Sequence, residues 1–410
     1  MKHIDKTHGA VDSTSMRQSN AALVLRLIWN EGPLSRADLA RRTGMSASTI
    51  SDITNELREL GLICDRGAGA SSGGRRPLLL GIQEQRVNII GVELGASHIT
   101  VTAISFCGDV LCMKRVENDT REDPQGTLDK LFSLIDWCFE QPGVDRQAWL
   151  GLGLAVPAPV NPSAPGELSR LILPRWSEID LLELLSERYQ KPVFLENDAN
   201  AGAIAEQWFG DHEDTQNLIF VKVATGIGAG FIIDGRLYRG SGGMAGEIGH
   251  LSIDPNGAPC VCGGRGCLVT MIGTHALIQS AREHVRPRHS DDVTSIHDII
   301  AATLDGDRAA LEIVEVAGSH LGTALAGLLN LMNPAVVVLG GELTQLRSVL
   351  LDPLRISLRR QAMFGSVARA RIVTSTLGES SIAVGAGTLV LDAALDDLTL
   401  FRSVLAQGAA

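Results

Sequence analysis

Cys260, Cys262 and Cys267 fall within eight residues, separated by glycines at 263, 264 and 266 that permit sharp turns. Three thiolates at this spacing suit a metal, and Zn²⁺ is the ion such a knuckle normally holds. Just upstream, Glu247 and His250 stand three apart behind the flexible run Gly242-Gly243-Met244-Ala245-Gly246. Before them, Thr225-Gly226-Ile227-Gly228-Ala229-Gly230 is a turn that can approach a phosphate or another backbone closely. A further carboxylate, Asp198, follows Glu196-Asn197 where the strand-like Val193-Phe194-Leu195 gives way to a helix beginning near Ala199. There it can accept a hydrogen bond from a ligand hydroxyl, remove its proton, or simply cap the helix.

These groups need a sizeable scaffold, and the chain supplies one. It has 410 residues, 45% of them hydrophobic and 20% charged, the profile of an ordinary soluble protein of two or three domains. No run of eighteen apolar residues offers a membrane span, and the polar first twenty residues lack a secretory leader. A cytoplasmic protein without a disulfide framework is expected, although it has seven cysteines. The net charge of −11 is uneven: residues 1–80 carry 11 Lys and Arg against 8 Asp and Glu, leaving 25 against 39 in the remainder. A weakly basic head on an acidic body fits a small nucleic-acid module joined to a larger domain.

The head has its own pattern. The run from Asn20 to Trp29 predicts a mostly buried helix that stops near Gly32-Pro33. Ser35 is placed to cap a second helix to Arg42, Thr43-Gly44-Met45 to form a tight turn, and Ser46 to cap a third helix. Ile50, Ile53, Leu57 and Leu60 give that third helix one buried face, and Gly61 closes it. The strand from Leu62, the tip from Gly67 to Gly74 and the return through Leu78-Leu79-Leu80 add a wing. A winged helix-turn-helix follows, with Ser46, Ser48, Thr49 and Ser51 offering hydroxyls to DNA. Positive charge is expected from Arg36 and Arg42 behind the reading helix and from Arg75 and Arg76 on the wing, where they can reach a minor groove.

The body repeats itself. A strand, a small-residue turn, a second strand, a Gly-Asp or Asp-Gly hairpin and a third strand occur from Val87 and again from Leu218. Two such α/β lobes describe the two-lobed actin-like, sugar-kinase (ribonuclease H-like) architecture. The body resembles the ROK family (repressor, open reading frame, kinase). The residues carrying the resemblance are Glu196-Asn197-Asp198-Ala199-Asn200, Gly246-Glu247-Ile248-Gly249-His250, the Cys-x-Cys-Gly-x-x-Gly-Cys run, and Val338-Leu339-Gly340-Gly341. With its head, the chain is similar to the sugar-responsive repressors of that family.

The resemblance implies a flexible start at 1–16, a winged helix-turn-helix over 17–82 and a first lobe over 83–198 to which a helix at 381–397 returns. A second lobe over 199–380 carries the knuckle and an oligomerisation surface. It also implies that His250 completes a structural Zn²⁺ site with Cys260, Cys262 and Cys267. Asn197, Asp198, Glu247 and His250 would grip an effector, Asp198 standing where the family's kinases keep a general base. The implied partners are operator DNA, a sugar or sugar-derived effector, and one or three further copies of the chain. Two positions depart from the family pattern: Val269 and Ile172 stand where polar sugar-holding residues are usual, so a less polar ligand than a plain hexose is expected. Glu93-Leu94-Gly95-Ala96-Ser97 replaces the nucleotide loop's aspartate by glutamate. A methylene there misplaces a Mg²⁺-bound water, and small misplacements cost about 10²-fold in rate. A non-catalytic regulator is therefore expected ahead of a sugar kinase.

Overall fold

The computed structural model describes residues 13–69, 76–166, 168–169, 172–212, 215–285, 292–363, 365 and 369–405. Helix α1 (Ser13–Glu31) begins several residues earlier than the sequence pattern predicted; the rest of the start, residues 1–12, lies outside the described residues. Helix α2 (Arg36–Thr43) is opened by a capping box in which Ser35 and Asp38 satisfy each other's backbone N–H groups. Gly44, at φ 72°, ends it in the left-handed conformation that the turn requires. Ser46 then caps α3 (Ala47–Glu59) by accepting from Thr49 N, and Ile50, Ile53, Thr54 and Leu57 are buried. Strands β2 (Ile63–Ala68) and β3 (Leu78–Ile82) form the wing. A short β1 (Leu34–Ser35), invisible to periodicity, pairs with β3 and ties the helices to it.

The two lobes contain sheets of the same topology. In the first, β4 (Asn88–Leu94), β5 (His98–Ser105), β6 (Val110–Glu117), β7 (Trp149–Val156) and β8 (Val193–Asn197) lie in the order β6-β5-β4-β7-β8. In the second, β9 (Leu218–Val223), β10 (Ile227–Ile233), β11 (Arg236–Tyr238), β12 (Val336–Gly340) and β13 (Arg371–Thr374) lie in the order β11-β10-β9-β12-β13. In both, the first three strands run antiparallel and the last two join in parallel, so the sequence repeat is a repeat of fold.

Two helices stitch the lobes together. One, Asp198–Phe209, leaves β8 and packs on β9 and β10; the other, Ser381–Asp396, packs on it and on β4 and β7. That second helix runs unbroken through Gly385-Ala386-Gly387. Here glycine serves close approach. A Cβ on Gly385 would lie 1.8 Å from the Ala201 carbonyl oxygen, and one on Gly91 1.9 Å from that of Ala383.

The head is not a loosely tethered module. Val24, Leu25 and Ile28 of α1 share one buried cluster with Ile89 and Phe106 of the first lobe, with Leu398, and with Phe401 and Val404 of the C-terminal helix Thr399–Leu405. Trp29 lies against Trp208, with ring centroids 4.9 Å apart, and donates its indole N–H to the Phe106 carbonyl at 2.9 Å. Arg26 pairs with Asp392 and Asp396 at 2.8 and 2.7 Å, while Arg402 reaches Glu56 on α3.

Candidate functional site

A cavity of ≈ 680 Å³ lies between the lobes, within the size range of small-molecule sites. Asn197, Asp198, Glu247 and His250 all line it, as do the two departing residues Ile172 and Val269. The predicted effector residues therefore meet in one place, beside two apolar walls. Asn197 rather than Asp198 caps the helix that follows, accepting from Ala199 N and Asn200 N, while its amide donates to Ala158 O at 3.2 Å. Asp198 Oδ1 also accepts from Ala199 N at 2.7 Å, which leaves Oδ2 for another partner.

The partner is Lys222, to which the sequence reading gave no role. Its side chain is buried, and Nζ lies 2.5 Å from Asp198 Oδ2 and 3.6 Å from Glu93 Oε1. Lys222 sits on the central strand β9 of one lobe, Glu93 on β4 of the other, and Asp198 at their junction. Burial pushes the Lys222 pKa down, but Asp198 and then Glu93 outweigh it and raise it. Burial likewise pushes Glu93 up, yet His98, at 3.2 Å, and Lys222 bring it down to about 2. Both groups are thus held charged. A lysine amid the apolar strand residues Leu218–Val223 was the available signal, because a buried ammonium must find a counter-charge.

Glu93, where β4 runs into the loop to β5, is thereby paired within the protein. The His98 ring also packs across its loop, where a Cβ on Gly95 would lie 2.6 Å from it. Farther along the cleft, Arg115 of β6 meets Glu342, just past Gly340-Gly341, at 2.5 Å. Near Asp198, Arg239 meets the buried Glu196 at 2.7 Å. Glu247 is half-buried; burial and, after it, the charge of Asp198 raise its pKa to about 6.

The knuckle brings His250, Cys260, Cys262 and Cys267 together with their ligand atoms all within 4.8 Å of one another. Cys262 Sγ and Cys267 Sγ are 3.6 Å apart, and Cys260 Sγ is 3.5 Å from His250 Nδ1. A tetrahedral ion with Zn–S bonds of about 2.3 Å would separate its sulfurs by about 3.8 Å, so the donor set fits. His250 thus faces both sides: Nδ1 toward the thiols, and Nε2 toward Glu247 at 4.0 Å.

On the head, Ser46, Ser48 and Thr49 form one edge at the start of α3, the Ser46 hydroxyl lying 2.8 Å from each of the other two. Ser51 is half-buried on the same helix. Arg36 is turned inward, donating to Thr54 at 2.8 Å and Asn55 at 3.2 Å, so it braces α2 against α3. Arg42 is paired with Glu31. Arg76 is exposed beside the wing, and Arg75 lies outside the described residues.

Residues 89–393 match the ROK family, and residues 23–63 match a winged helix-turn-helix DNA-binding family. The chain is 32% identical over 393 residues to the xylose repressor of Bacillus subtilis (strain 168), covering 95% of this chain and 99% of that one. It is 32% identical over 390 residues to the N-acetylglucosamine repressor of Escherichia coli O157:H7, covering 94% and 95%. Among solved structures, a ROK family transcriptional regulator, a homolog of the E. coli MLC protein, aligns with a TM-score of 0.78 at 29% identity over 95% of this chain and 99% of that one. A ROK family glucokinase from Streptomyces griseus, in complex with glucose and AMPPNP, aligns at 0.65 and 27% over 74% and 98%.

Proposed function

The chain belongs to the ROK family, and from that premise we propose a cytoplasmic transcriptional repressor whose interlobe cavity takes a sugar or sugar derivative and whose head reads operator DNA. The supporting observation is the pairing of Lys222 with Asp198 and Glu93. A general base must be free to accept a proton, and the Asp198 carboxylate is instead paired with an ammonium 2.5 Å away, where it serves to bind hydroxyls. The charged residue of the nucleotide loop is neutralised from within, so recognition persists without phosphoryl transfer. Full coverage of the two repressors supports the same reading, since the kinase likeness omits the head.

In this reading Asn197, Asp198, Glu247 and His250 hold the ligand's hydroxyls, and Ile172 and Val269 receive a less polar part of it. A hydroxyl buried against either would lose its partner at a cost of about 1–3 kcal/mol. His250, Cys260, Cys262 and Cys267 hold a structural Zn²⁺, which when bound cross-links the loop and fixes the Glu247–His250 turn. The chain acts as a homodimer or homotetramer, so that two reading helices meet two half-sites. Ligand binding shifts operator affinity to the extent that it favours one arrangement, typically by about 1–3 kcal/mol.

Fluorescence anisotropy with the duplex upstream of the chain's own gene tests this. Wild type is expected to bind it, and xylose or N-acetylglucosamine to shift the affinity. Ser48→Glu, which puts a negative charge at the leading edge of α3, is expected to weaken binding about tenfold or more. Equal binding by wild type and Ser48→Glu would remove α3 from the interface. Measurable ADP release with either sugar, absent from Asp198→Asn, would make the chain a kinase.

A further inference from the structure

The helix Asp198–Phe209 has one end in the cavity and the other against the head. At its start, Asn197 and Asp198 line the cavity, and the first turn is fastened by the Asn197 cap, the Lys222 pair and the bond from Asn200 Nδ2 to Glu196 Oε1 at 2.9 Å. At its finish, Trp208 and Phe209 lie 4.9 and 6.2 Å from the ring of Trp29 on α1. The guanidinium of Arg26, also on α1, lies 5.9 Å over Trp208. Twelve residues at about 1.5 Å each span about 18 Å in a single rod.

The middle of the rod is built to move as a unit. Residues 198–206 are all buried, and Ala199, Ala201, Gly202, Ala203 and Ala205 present almost no side chain. Neighbours approach to backbone contact: a Cβ on Gly230 would lie 2.4 Å from the Ala199 carbonyl oxygen, and one on Gly385 1.8 Å from that of Ala201. Such a surface has no bulky knobs to absorb a displacement sideways. A shift at the first turn therefore passes along the axis, because close-packed interiors deform by sliding of whole elements and not by local compression.

We infer that the helix Asp198–Phe209 is the transmission element of the regulator: the state of the cavity sets the position of its first turn, and Trp208 and Phe209 deliver that position to α1 through Trp29. The inference rests on the proposed function for its meaning, but the mechanical claim stands apart from it. In this scheme Trp208 is a positioning residue, touching neither ligand nor DNA. Arg26 makes the seat of α1 two-sided, since it also holds Asp392 and Asp396 on the neighbouring helix. A moving Trp208 then tilts α1 about that second anchor, and α3 follows because α1 and α3 share a core.

The test uses full-length protein and needs neither ligand nor DNA. Hydrogen–deuterium exchange is measured for wild type, Asn197→Ala, Trp208→Leu and the double variant. Loss of the Asn197 cap is expected to speed exchange in α1 peptides covering 24–31 by about fivefold or more, the lower end of ordinary site-to-site coupling. The helix Arg308–Met332, remote in the second lobe, is expected to be unchanged. Asn197→Ser, which keeps a capping oxygen, is expected to behave as wild type. The double variant is expected to exchange in α1 no faster than Trp208→Leu alone, because the connection is already cut. Unchanged α1 exchange in Asn197→Ala, additive effects in the double variant, or equal acceleration of 308–332 would each overturn the inference. If Asn197→Ala does not fold, Asn197→Gly, a milder cap loss, takes its place, with an acceleration of about 1.5-fold expected in α1 and an unchanged α1 again overturning the inference. A chain that transmits this change yet ignores its upstream duplex would sink the proposed function and leave the transmission element standing.

Discussion

Lys222→Met is expected to lower the unfolding free energy by about 3–5 kcal/mol near neutral pH, the cost of removing one partner from a buried ion pair. The loss arises from what remains: Asp198 would stay in the interior without its ammonium, and Glu93 would keep only His98. The pH dependence has a definite sign. In the wild type Glu93 is depressed below its unfolded value, so its stabilisation is present above the ordinary carboxylate range and fades as pH falls toward about 2. Lys222 is raised, so its stabilisation is present below the ordinary lysine value and is lost only when pH climbs past it. Between about pH 5 and 10 the cluster's contribution is therefore flat. In Lys222→Met the ammonium no longer offsets the burial of Glu93, which takes up a proton more readily, and the deficit shrinks as pH falls from about 7.5 to 5. Urea unfolding at the two ends of that window measures it; a deficit below about 1 kcal/mol, or one that grows on acidification, is incompatible with the ion pairs described.

The second large effect concerns the knuckle. Purified protein is expected to contain about one zinc per chain, and Cys267→Ser, at the buried ligand, to contain almost none. With free zinc a thousandfold above its dissociation constant, the ion contributes about 4 kcal/mol to stability, which chelation or the substitution would remove. The loss should also reach the cavity, because His250 stands three residues from Glu247 at its wall. Metal analysis with thermal unfolding decides it: a zinc-free chain as stable as a zinc-loaded one would leave the four residues without a structural ion.

How much of this the sequence disclosed follows from the range of each interaction. Ser35, Gly44, Ser46 and Gly61 act within a turn of their own position, and the helices and turn of the head came out close to where local chemistry put them. The strand repeat likewise needed only alternation and hairpin residues. The pocket residues were found through a resemblance, two of whose motifs lie at the ends of β8 and β12. Lys222 was overlooked because its partners lie 24 positions away and on the opposite sheet, which no window of sequence connects. Arg36 was expected at the phosphates, yet its nearest hydroxyl is on the adjoining helix, 18 residues on. Glycine weakens an isolated helix, so nothing local explains Gly385; the carbonyl of Ala201 that makes it necessary belongs to another element.

The seat beneath α1 has a practical corollary for engineering. A recombinant made by joining this reader to the sensor of a related protein at the Gln83–Val87 connection would leave Trp29 without Phe106, Trp208 and Phe209, and would lay bare a greasy flank on each half. Exchange of specificity among such regulators must therefore carry over the floor along with the furniture, or stop at the few side chains on the outer edge of α3.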